Sequence, residues 1–223
     1  MNEVYQKTLS KKISFKGIGL HSGERSTINL YPAKEDAGIV FKRVDLNNNN
    51  LIKANFANVC SAKLCTTLKN DHNVKVSTVE HLLASLYITG VDNALIEINN
   101  EEVPIMDGSS KDFIKVLERT ELVNQKKKRK YLKISDKIEL IDGEREISIQ
   151  PKSSSLDVYF QLNYKNEIIG KQQNTIDFQK DNLTEVLSSR TFCLFEDIEK
   201  LKKINLGRGG SLDNAVVVKN NKV

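Results

Sequence analysis

The sequence predicts an α+β fold, because strand and helix signals come in separate blocks along the chain. An alternating segment at Thr27–Tyr31 and a short apolar run at Gly38–Lys42 are typical of strands. From Val79 to Leu86 the apolar residues instead recur at helical spacing. Blocks of this kind favour mostly antiparallel sheets that are covered by helices on one face.

The first half of the chain shows the order strands, helix, strand, helix. Its first helix is predicted over Ser77–Leu86, where Ser77 and Glu80 have the spacing of a capping box and Gly90 is expected to end the helix. Ala94–Ile98 is predicted to be a strand, and Ser110–Leu117 a second amphipathic helix.

The second half begins in the same way. Asp142-Gly143 predicts a hairpin. A helical stretch is predicted over residues 183–202 with a break near Thr191, and a strand over Asn214–Val218. Compared with the first half, a last helix is missing. The other predicted strands are Tyr131–Ile134, Ile138–Leu140, Glu146–Ile149 and Val158–Leu162.

We therefore expect two similar α+β halves, residues 1–125 and 131–223, joined by a basic linker at 126–130. The five basic residues of this run account for the whole net charge of +5. Runs of like charge are usually solvated and extended, although such a run can also bind phosphates or an anionic membrane surface. No aromatic residues interleave with the charges, which argues against a nucleic-acid partner.

The composition favours a globular protein of the cytoplasm, with 39% hydrophobic and 28% charged residues. No secretory signal follows the first residues, and no run of ~18 apolar residues predicts a transmembrane segment. The odd number of cysteines, without a Cys-x-x-Cys pair, argues against a disulfide framework. We expect a monomer with reduced thiols.

Glu80 and His81 are the first candidates for chemistry, because both can reach a cleft at the start of the predicted helix. In one interpretation His81 binds a metal ion and Glu80 takes a proton from the bound water. In the other, Glu80 completes the capping box with Ser77 and His81 is a partly buried helix residue.

Two further histidines and a cysteine are weaker candidates. His21 lies among three glycines in the segment 17–23, which indicates a turn or a close backbone approach, or simply an exposed connection. His72 lies in a polar stretch and is expected to be a surface loop residue. Cys65 has no identifiable basic partner, which favours a small buried thiol over a nucleophile.

Six short strings occur together and in order over nearly the whole chain. Together they resemble the zinc-dependent UDP-3-O-acyl-N-acetylglucosamine deacetylase family of lipid A biosynthesis. The strings are Gly-Ile-Gly-Leu-His-Ser-Gly at 17–23, Leu-Cys-Thr-Thr-Leu at 64–68, Ser-Thr-Val-Glu-His-Leu-Leu-Ala at 77–84, Val-Pro-Ile-Met-Asp-Gly-Ser at 103–109, Arg-Thr-Phe at 190–192 and Gly-Gly-Ser-Leu-Asp-Asn-Ala-Val-Val-Val at 209–218.

The resemblance implies an active site between the two halves that hydrolyses the N-acetyl group of UDP-3-O-acyl-N-acetylglucosamine to acetate and a free amine. It implies a Zn²⁺ cofactor bound by His81, with Glu80 as general base and Thr191 positioned to hydrogen-bond the reacting centre. The remaining implied substrate contacts are Phe192 near the substrate, Leu64 and Cys65 lining the cleft near the metal, His21 toward the nucleotide end, and Ile198 at the acyl-chain passage.

The chain departs from the family at its C-terminal side. Family members carry two more zinc ligands in a His-Lys-x-x-x-Asp-like segment beyond the Val-Val-Val strand, and no histidine follows His81 here. We therefore expect a C-terminally truncated chain in which the other ligands are absent. The alternative to an active enzyme is a non-catalytic truncated or split-gene fragment without tightly held zinc.

Overall fold

The computed structural model describes residues 4–153, 155–220 and 222–223. The chain divides into two compact units, Met1–Lys128 together with Thr184–Val223, and Arg129–Leu183. Its strands are mostly antiparallel and its helices few, which confirms the predicted α+β class. Within the described ranges, no helix combines the length and apolar character needed to cross a membrane.

The elements follow one another in three blocks. The first unit opens with β1 (Tyr5–Leu9), β2 (Ile13–Ile18), β3 (Arg25–Pro32), β4 (Ile39–Arg43), β5 (Leu51–Lys53), a short 3-10 helix (Phe56–Asn58), β6 (Val59–Ser61), β7 (Thr67–Lys69), β8 (Lys75–Val76), α1 (Glu80–Thr89), β9 (Ala94–Ile98), α2 (Lys111–Glu118) and β10 (Leu122–Lys128). The second unit contains β11 (Ile138–Asp142), β12 (Arg145–Ile149), β13 (Asp157–Asn163) and β14 (Lys171–Asp177). The first unit resumes with α3 (Thr184–Ser188), β15 (Phe192–Leu194), α4 (Phe195–Lys203) and β16 (Val216–Val218).

A five-stranded sheet in the order β2-β3-β9-β4-β5 forms the centre of the first unit. Its strands pair antiparallel except for β4 and β9, which run parallel. Alternate residues of β3, Ser26, Ile28 and Leu30, are buried, as expected for a sheet with one face on the core. Leu82 of α1 and Phe113 of α2 are fully buried in the same unit.

The strongest local signals of the sequence predicted their elements correctly. The strand Ala94–Ile98 has the predicted bounds. Gly90 ends α1 in the left-handed conformation with φ of 80°, which glycine adopts without a Cβ clash. Asp142 pairs with Arg145 across the predicted hairpin, and Gly143 has φ of 60° as the turn requires.

The predicted capping box at the start of α1 is wrong. Glu80 is the first helical residue, Val79 takes the cap position, and no side chain caps the helix. The Ser77 hydroxyl donates to the Glu101 carbonyl at 3.4 Å, while a carboxylate oxygen of Glu80 accepts from the Thr66 amide at 3.1 Å. Partners distant in sequence therefore replace the local pair.

Two predictions in the second half are also corrected. Residues 131–134 form no strand, and Tyr131 and Leu132 are 70% and 91% exposed, because an alternating pattern makes a strand only where a neighbouring strand pairs with it. The helical stretch over 183–202 is divided into α3 and α4 by β15, so the expected break near Thr191 is a strand and not only a kink.

The basic run is not simply a linker. Lys126 to Lys128 end strand β10, which pairs antiparallel with β1, and the Lys126 amide donates to Glu35 at 2.7 Å. The lysines lie in a strand because the side chains of an exposed ribbon can remain solvated while its backbone pairs.

The observed units also differ from the expected halves, because residues 184–223 belong with the N-terminal unit. The amide of Thr191 donates to the Gly108 carbonyl at 2.8 Å, and the Arg190 guanidinium donates to the Asp107 carbonyl at 2.7 Å. The helices of the expected second half therefore pack on the first unit. In the second unit, residues 138–149 and 157–177 form two separate antiparallel hairpins.

Candidate active site

Glu80 and His81 are the first two residues of α1, which follows the short strand β8 in the chain. Thr66 holds one carboxylate oxygen of Glu80 through its amide. A hydrogen bond to a main-chain amide fixes the orientation of a carboxylate and leaves its other oxygen available for chemistry. The site is therefore built at a helix start that is anchored to the loop residue just before β7.

The His81 imidazole is well suited to donate a lone pair. Its Nδ1 atom is buried and has no hydrogen-bond partner in the described structure. Burial lowers the pKa of His81, and the nearby carboxylates of Glu80 and Asp107 only partly oppose that effect. At neutral pH the ring is therefore neutral, as a metal ligand must be.

Asp107 contributes a fixed negative charge near His81. Burial would raise the pKa of the Asp107 carboxyl, but hydrogen bonds from Ser109 and the charges of Arg190 and Lys111 outweigh it and hold this pKa below its usual range. Its Oδ1 atom accepts from the Ser109 amide at 3.0 Å and from the Ser109 hydroxyl at 2.7 Å. The sequence showed Asp107 only as part of the string at 103–109 and gave it no role of its own.

His21 lies close enough to Cys65 to affect its titration, a basic neighbour that sequence reasoning did not find, although neither ring nitrogen of His21 makes a hydrogen bond in the described structure. The neighbouring Cys65 thiol raises the pKa of His21, and this effect outweighs burial of the ring. Burial would raise the pKa of Cys65, but His21 and Thr67 together lower it below its ordinary value. Cys65 is half-buried, and whether it is a nucleophile or only a small buried thiol stays a prediction.

This pair predicts a difference in thiol reactivity. Cys193 is also half-buried, but burial raises its pKa with no basic partner to oppose it. A lower pKa gives more thiolate at a given pH, so at about pH 8 we expect iodoacetamide to alkylate Cys65 about tenfold faster than Cys193. His21→Asn should remove most of that advantage, whereas His72→Asn, in an exposed turn, should leave it unchanged. Mass spectrometry of the peptides measures both rates, and equal rates in the unmodified protein would contradict the pairing.

A cavity of about 310 Å³ lies in the first unit beside His21. Most of its wall is apolar, and Leu201 follows Ile198 at the i+3 spacing that places both on one side of α4. Five residues that the sequence singled out line it together: His21, Leu64, Thr191, Phe192 and Ile198. The other lining residues are Leu20, Cys193, Leu201, Gly207, Gly210, Ser211, Leu212, Ala215 and Val217.

The remaining candidates, Cys65, Glu80 and His81, are not part of the cavity wall. The segment 64–66 nevertheless connects the two places, because Leu64 lines the cavity and Thr66 holds Glu80. His72 is exposed in a turn, as predicted for a surface loop.

Three residues around the site have unusual backbone conformations. Leu64, Thr78 and Met106 have φ of 66°, 56° and 56°, a region that bulky and β-branched side chains rarely adopt. Such residues cost about 1–3 kcal/mol each and concentrate at functional sites. Thr78 precedes Glu80 by two residues and Met106 precedes Asp107, so the strain is located where the candidate side chains are oriented.

The candidate zinc site is incomplete within the part of the chain that the structure describes. There, no three or more His, Cys, Asp or Glu side chains are grouped so that they could hold a metal ion. His81 by itself fits a metal ligand, because its buried Nδ1 atom has no other partner in the described structure. A catalytic zinc usually has three protein ligands, so the described residues do not make the site alone.

Comparison with known sequences places this chain in a class of enzyme, the deacetylases. The chain belongs to the UDP-3-O-acyl N-acetylglycosamine deacetylase family, LpxC, whose sequence profile matches residues 6–223.

Two relatives illustrate the similarity. The chain is 41% identical over 216 residues to the UDP-3-O-acyl-N-acetylglucosamine deacetylase of Syntrophotalea carbinolica, covering 96% of this chain and 69% of that protein. It is 36% identical over 219 residues to the UDP-3-O-acyl-N-acetylglucosamine deacetylase of Nitratiruptor sp., covering 98% of this chain and 72% of that protein.

Proposed function

We propose that this chain hydrolyses the N-acetyl group of UDP-3-O-acyl-N-acetylglucosamine in lipid A biosynthesis, releasing acetate and leaving a free amine. The observation that supports it most directly is the apolar cavity beside the segment that holds Glu80. A substrate with a polar head and an acyl chain needs both an apolar wall and polar catalytic groups within a short distance. The cytoplasm is the proposed location, supported by three free cysteines.

The cavity is proposed to take the acyl chain. Phe192, Ile198 and Leu201 present large apolar side chains to it, and burial of each CH₂ group stabilises binding by about 0.8 kcal/mol. His21, whose pKa is raised by the Cys65 thiol, is proposed to face the nucleotide end of the substrate. A positively charged ring there would attract a diphosphate.

Glu80 is the proposed general base. The carboxylate takes a proton from a water molecule as its oxygen attacks the acetamide carbonyl, and the proton then passes to the departing nitrogen. The Thr191 hydroxyl is proposed to donate to the oxygen that gains negative charge. The backbone of Thr191 is held by Gly108 on one side and by Val216 on the other, at 2.8 and 2.9 Å, so its side chain is attached to a fixed main chain.

Zinc is the proposed cofactor, with His81 as the residue of this chain that would hold it. When bound, such an ion polarises the carbonyl and lowers the pKa of its water. Since the described residues do not complete the ligand set, we derive no step from it.

A second candidate function is binding of the same nucleotide-sugar lipid without turnover. It is favoured because the described residues include no group of three or more His, Cys, Asp or Glu side chains that could hold a metal ion. Incubating the chain with the substrate and zinc, and measuring bound substrate, acetate and free amine, separates the two. Release of both products supports hydrolysis, whereas saturable binding without products supports the second candidate. If the chain neither bound the substrate nor released products, both candidate functions would be contradicted.

Substitution at the cavity tests the proposed acyl site. Ile198→Glu should raise KM by about 10–100-fold, because it removes an aliphatic contact and places a charge against the chain. The effect should shrink for a substrate with a short acyl chain. Ile204→Glu is the matched control, since Ile204 immediately follows α4, is half exposed and does not line the cavity. Steady-state kinetics or equilibrium binding measures the difference, and equal effects of the two variants would count against the acyl assignment.

A further inference from the structure

Glu102 is a buried carboxylate with an unusual set of partners. It is only 2% exposed. Its Oε1 atom accepts from the His21 amide at 2.9 Å and from the Thr78 hydroxyl at 2.8 Å, and its Oε2 atom accepts from the Ser22 amide at 2.7 Å. Burial of a charged group is costly unless it is well hydrogen-bonded, so these bonds account for its presence.

The partners of Glu102 belong to two different parts of the site. His21 and Ser22 lie in the segment Gly17–Gly23, here called the glycine loop, which brings His21 to the cavity. Thr78 lies two residues before Glu80 and has a left-handed backbone with φ of 56°. One carboxylate therefore connects the loop that carries His21 to the turn that leads into Glu80.

The glycine loop is shaped around this carboxylate. A Cβ atom on Gly19 would lie 2.4 Å from the Glu102 Oε2 atom and 2.3 Å from the Ser22 hydroxyl. A side chain at position 19 would thus displace the carboxylate from its partners. The charge of Glu102 also helps to raise the pKa of His21.

We propose that Glu102 is a positioning residue, which holds the glycine loop and the Thr78 turn together so that His21 and Glu80 keep their places in one site. The catalytic use of this site rests on the proposed function. The hydrogen bonds that join the glycine loop to Thr78 through Glu102 do not depend on it. Because Glu102 acts through its neighbours, its effects should be confined to the loop and the turn.

The first test is Glu102→Gln in the full chain, with Glu101→Gln as control. Gln keeps the shape but removes the charge, whereas Glu101 is a neighbouring carboxylate that is half exposed. We expect the His21 and Ser22 amides to exchange about tenfold faster or more, since hydrogen bonds to a charged acceptor are the stronger ones. The His21 imidazole should titrate at a lower pH. Amides of Leu30 and Ile96 in the central sheet should exchange as before.

A second variant approaches the same contact from the loop. Gly19→Ala leaves Glu102 in place but puts a methyl group where its carboxylate lies, so it should reproduce the faster exchange at Ser22 and the lower titration of His21. This variant decides the question if Glu102→Gln does not fold. Unchanged exchange and an unchanged His21 titration in a folded variant would overturn the proposal. Exchange accelerated equally throughout the sheet would overturn it too, since that indicates only a structural role.

Acetate release separates this inference from the proposed function. In a chain that turns over, Glu102→Gln should lower kcat by about tenfold or more, because small displacements of catalytic groups are costly, and it should also raise KM, because the released loop carries His21, the proposed contact to the nucleotide end. If the unmodified chain released no acetate, the hydrolytic function would fail while the exchange and titration results would still decide the role of Glu102. If the His21 and Ser22 amides exchanged faster in Glu102→Gln but kcat stayed normal, the claim that Glu102 positions Glu80 would be overturned.

Discussion

Replacement of Glu80 with Gln is expected to lower kcat for acetate release by about 10²–10⁴-fold, the usual contribution of a general base. The amide oxygen of Gln can still accept from Thr66, so the helix start should stay in place while the ability to take a proton is lost. KM should change little, because proton transfer occurs on the way to the transition state and not in substrate binding.

The control for this substitution is Glu118→Gln, which removes an exposed carboxylate at the end of α2. Steady-state kinetics and thermal unfolding of both variants separate loss of chemistry from loss of structure. If Glu80→Gln retained full kcat, Glu80 would be left with the single role of anchoring Thr66, and the proposed base would have to be sought elsewhere.

The fold could be predicted from the sequence where short segments carry their own signals. The strand Ala94–Ile98 is a short, mostly apolar run, and the glycines at 90 and 143 supply backbone conformations that other residues avoid. The strand Lys171–Asp177 was missed because it is largely polar, and it pairs with Asp157–Asn163 although its sequence shows no alternation of apolar residues. Pairing with the preceding strand, rather than the strand's own residue pattern, decides such cases.

The capping box shows the same limit at the candidate site. Ser77 and Glu80 have the right spacing, but each found a partner from another part of the chain, Glu101 and Thr66. A local capping pattern states what a helix start can do alone, and tertiary partners override it. The Glu80 carboxylate is therefore oriented by Thr66, just before β7, and not by the helix start itself.

The site itself was predicted in part. The resemblance to the family selected five residues that the structure brings to one cavity, although their roles stay predictions. Glu102 was missed because it follows Asn99, Asn100 and Glu101 in a polar run that predicts an exposed turn. Its burial depends on the glycine loop folding over it, and a sequence window around Glu102 contains no signal for that event.

The second large expected effect concerns Gly108, where the segment 190–216 is attached to the start of α2. Gly108 has φ of 87°, and its carbonyl accepts from the Thr191 amide at 2.8 Å. A Cβ atom at this position would lie 2.1 Å from the carbonyl oxygen of Asn214 and 2.8 Å from its carbonyl carbon. These are main-chain atoms, so a side-chain rotation cannot relieve the contact.

Gly108→Ala is therefore expected to lower the free energy of unfolding of the first unit by about 3 kcal/mol, from the left-handed backbone and the overpacking together. Gly38→Ala separates these causes, because Gly38 has φ of 67° but open space around its Cβ position, and its cost should be only about 1 kcal/mol. Urea denaturation compares the two midpoints. Since Thr191 and Ala215 line the cavity, Gly108→Ala should also weaken binding of an acyl-chain probe, whereas Gly38→Ala should not. Equal midpoints would show that the main chain at Asn214 can move away from the added methyl group with no loss of stability. The segment 190–216 would then be held less firmly than the contacts of Gly108 imply.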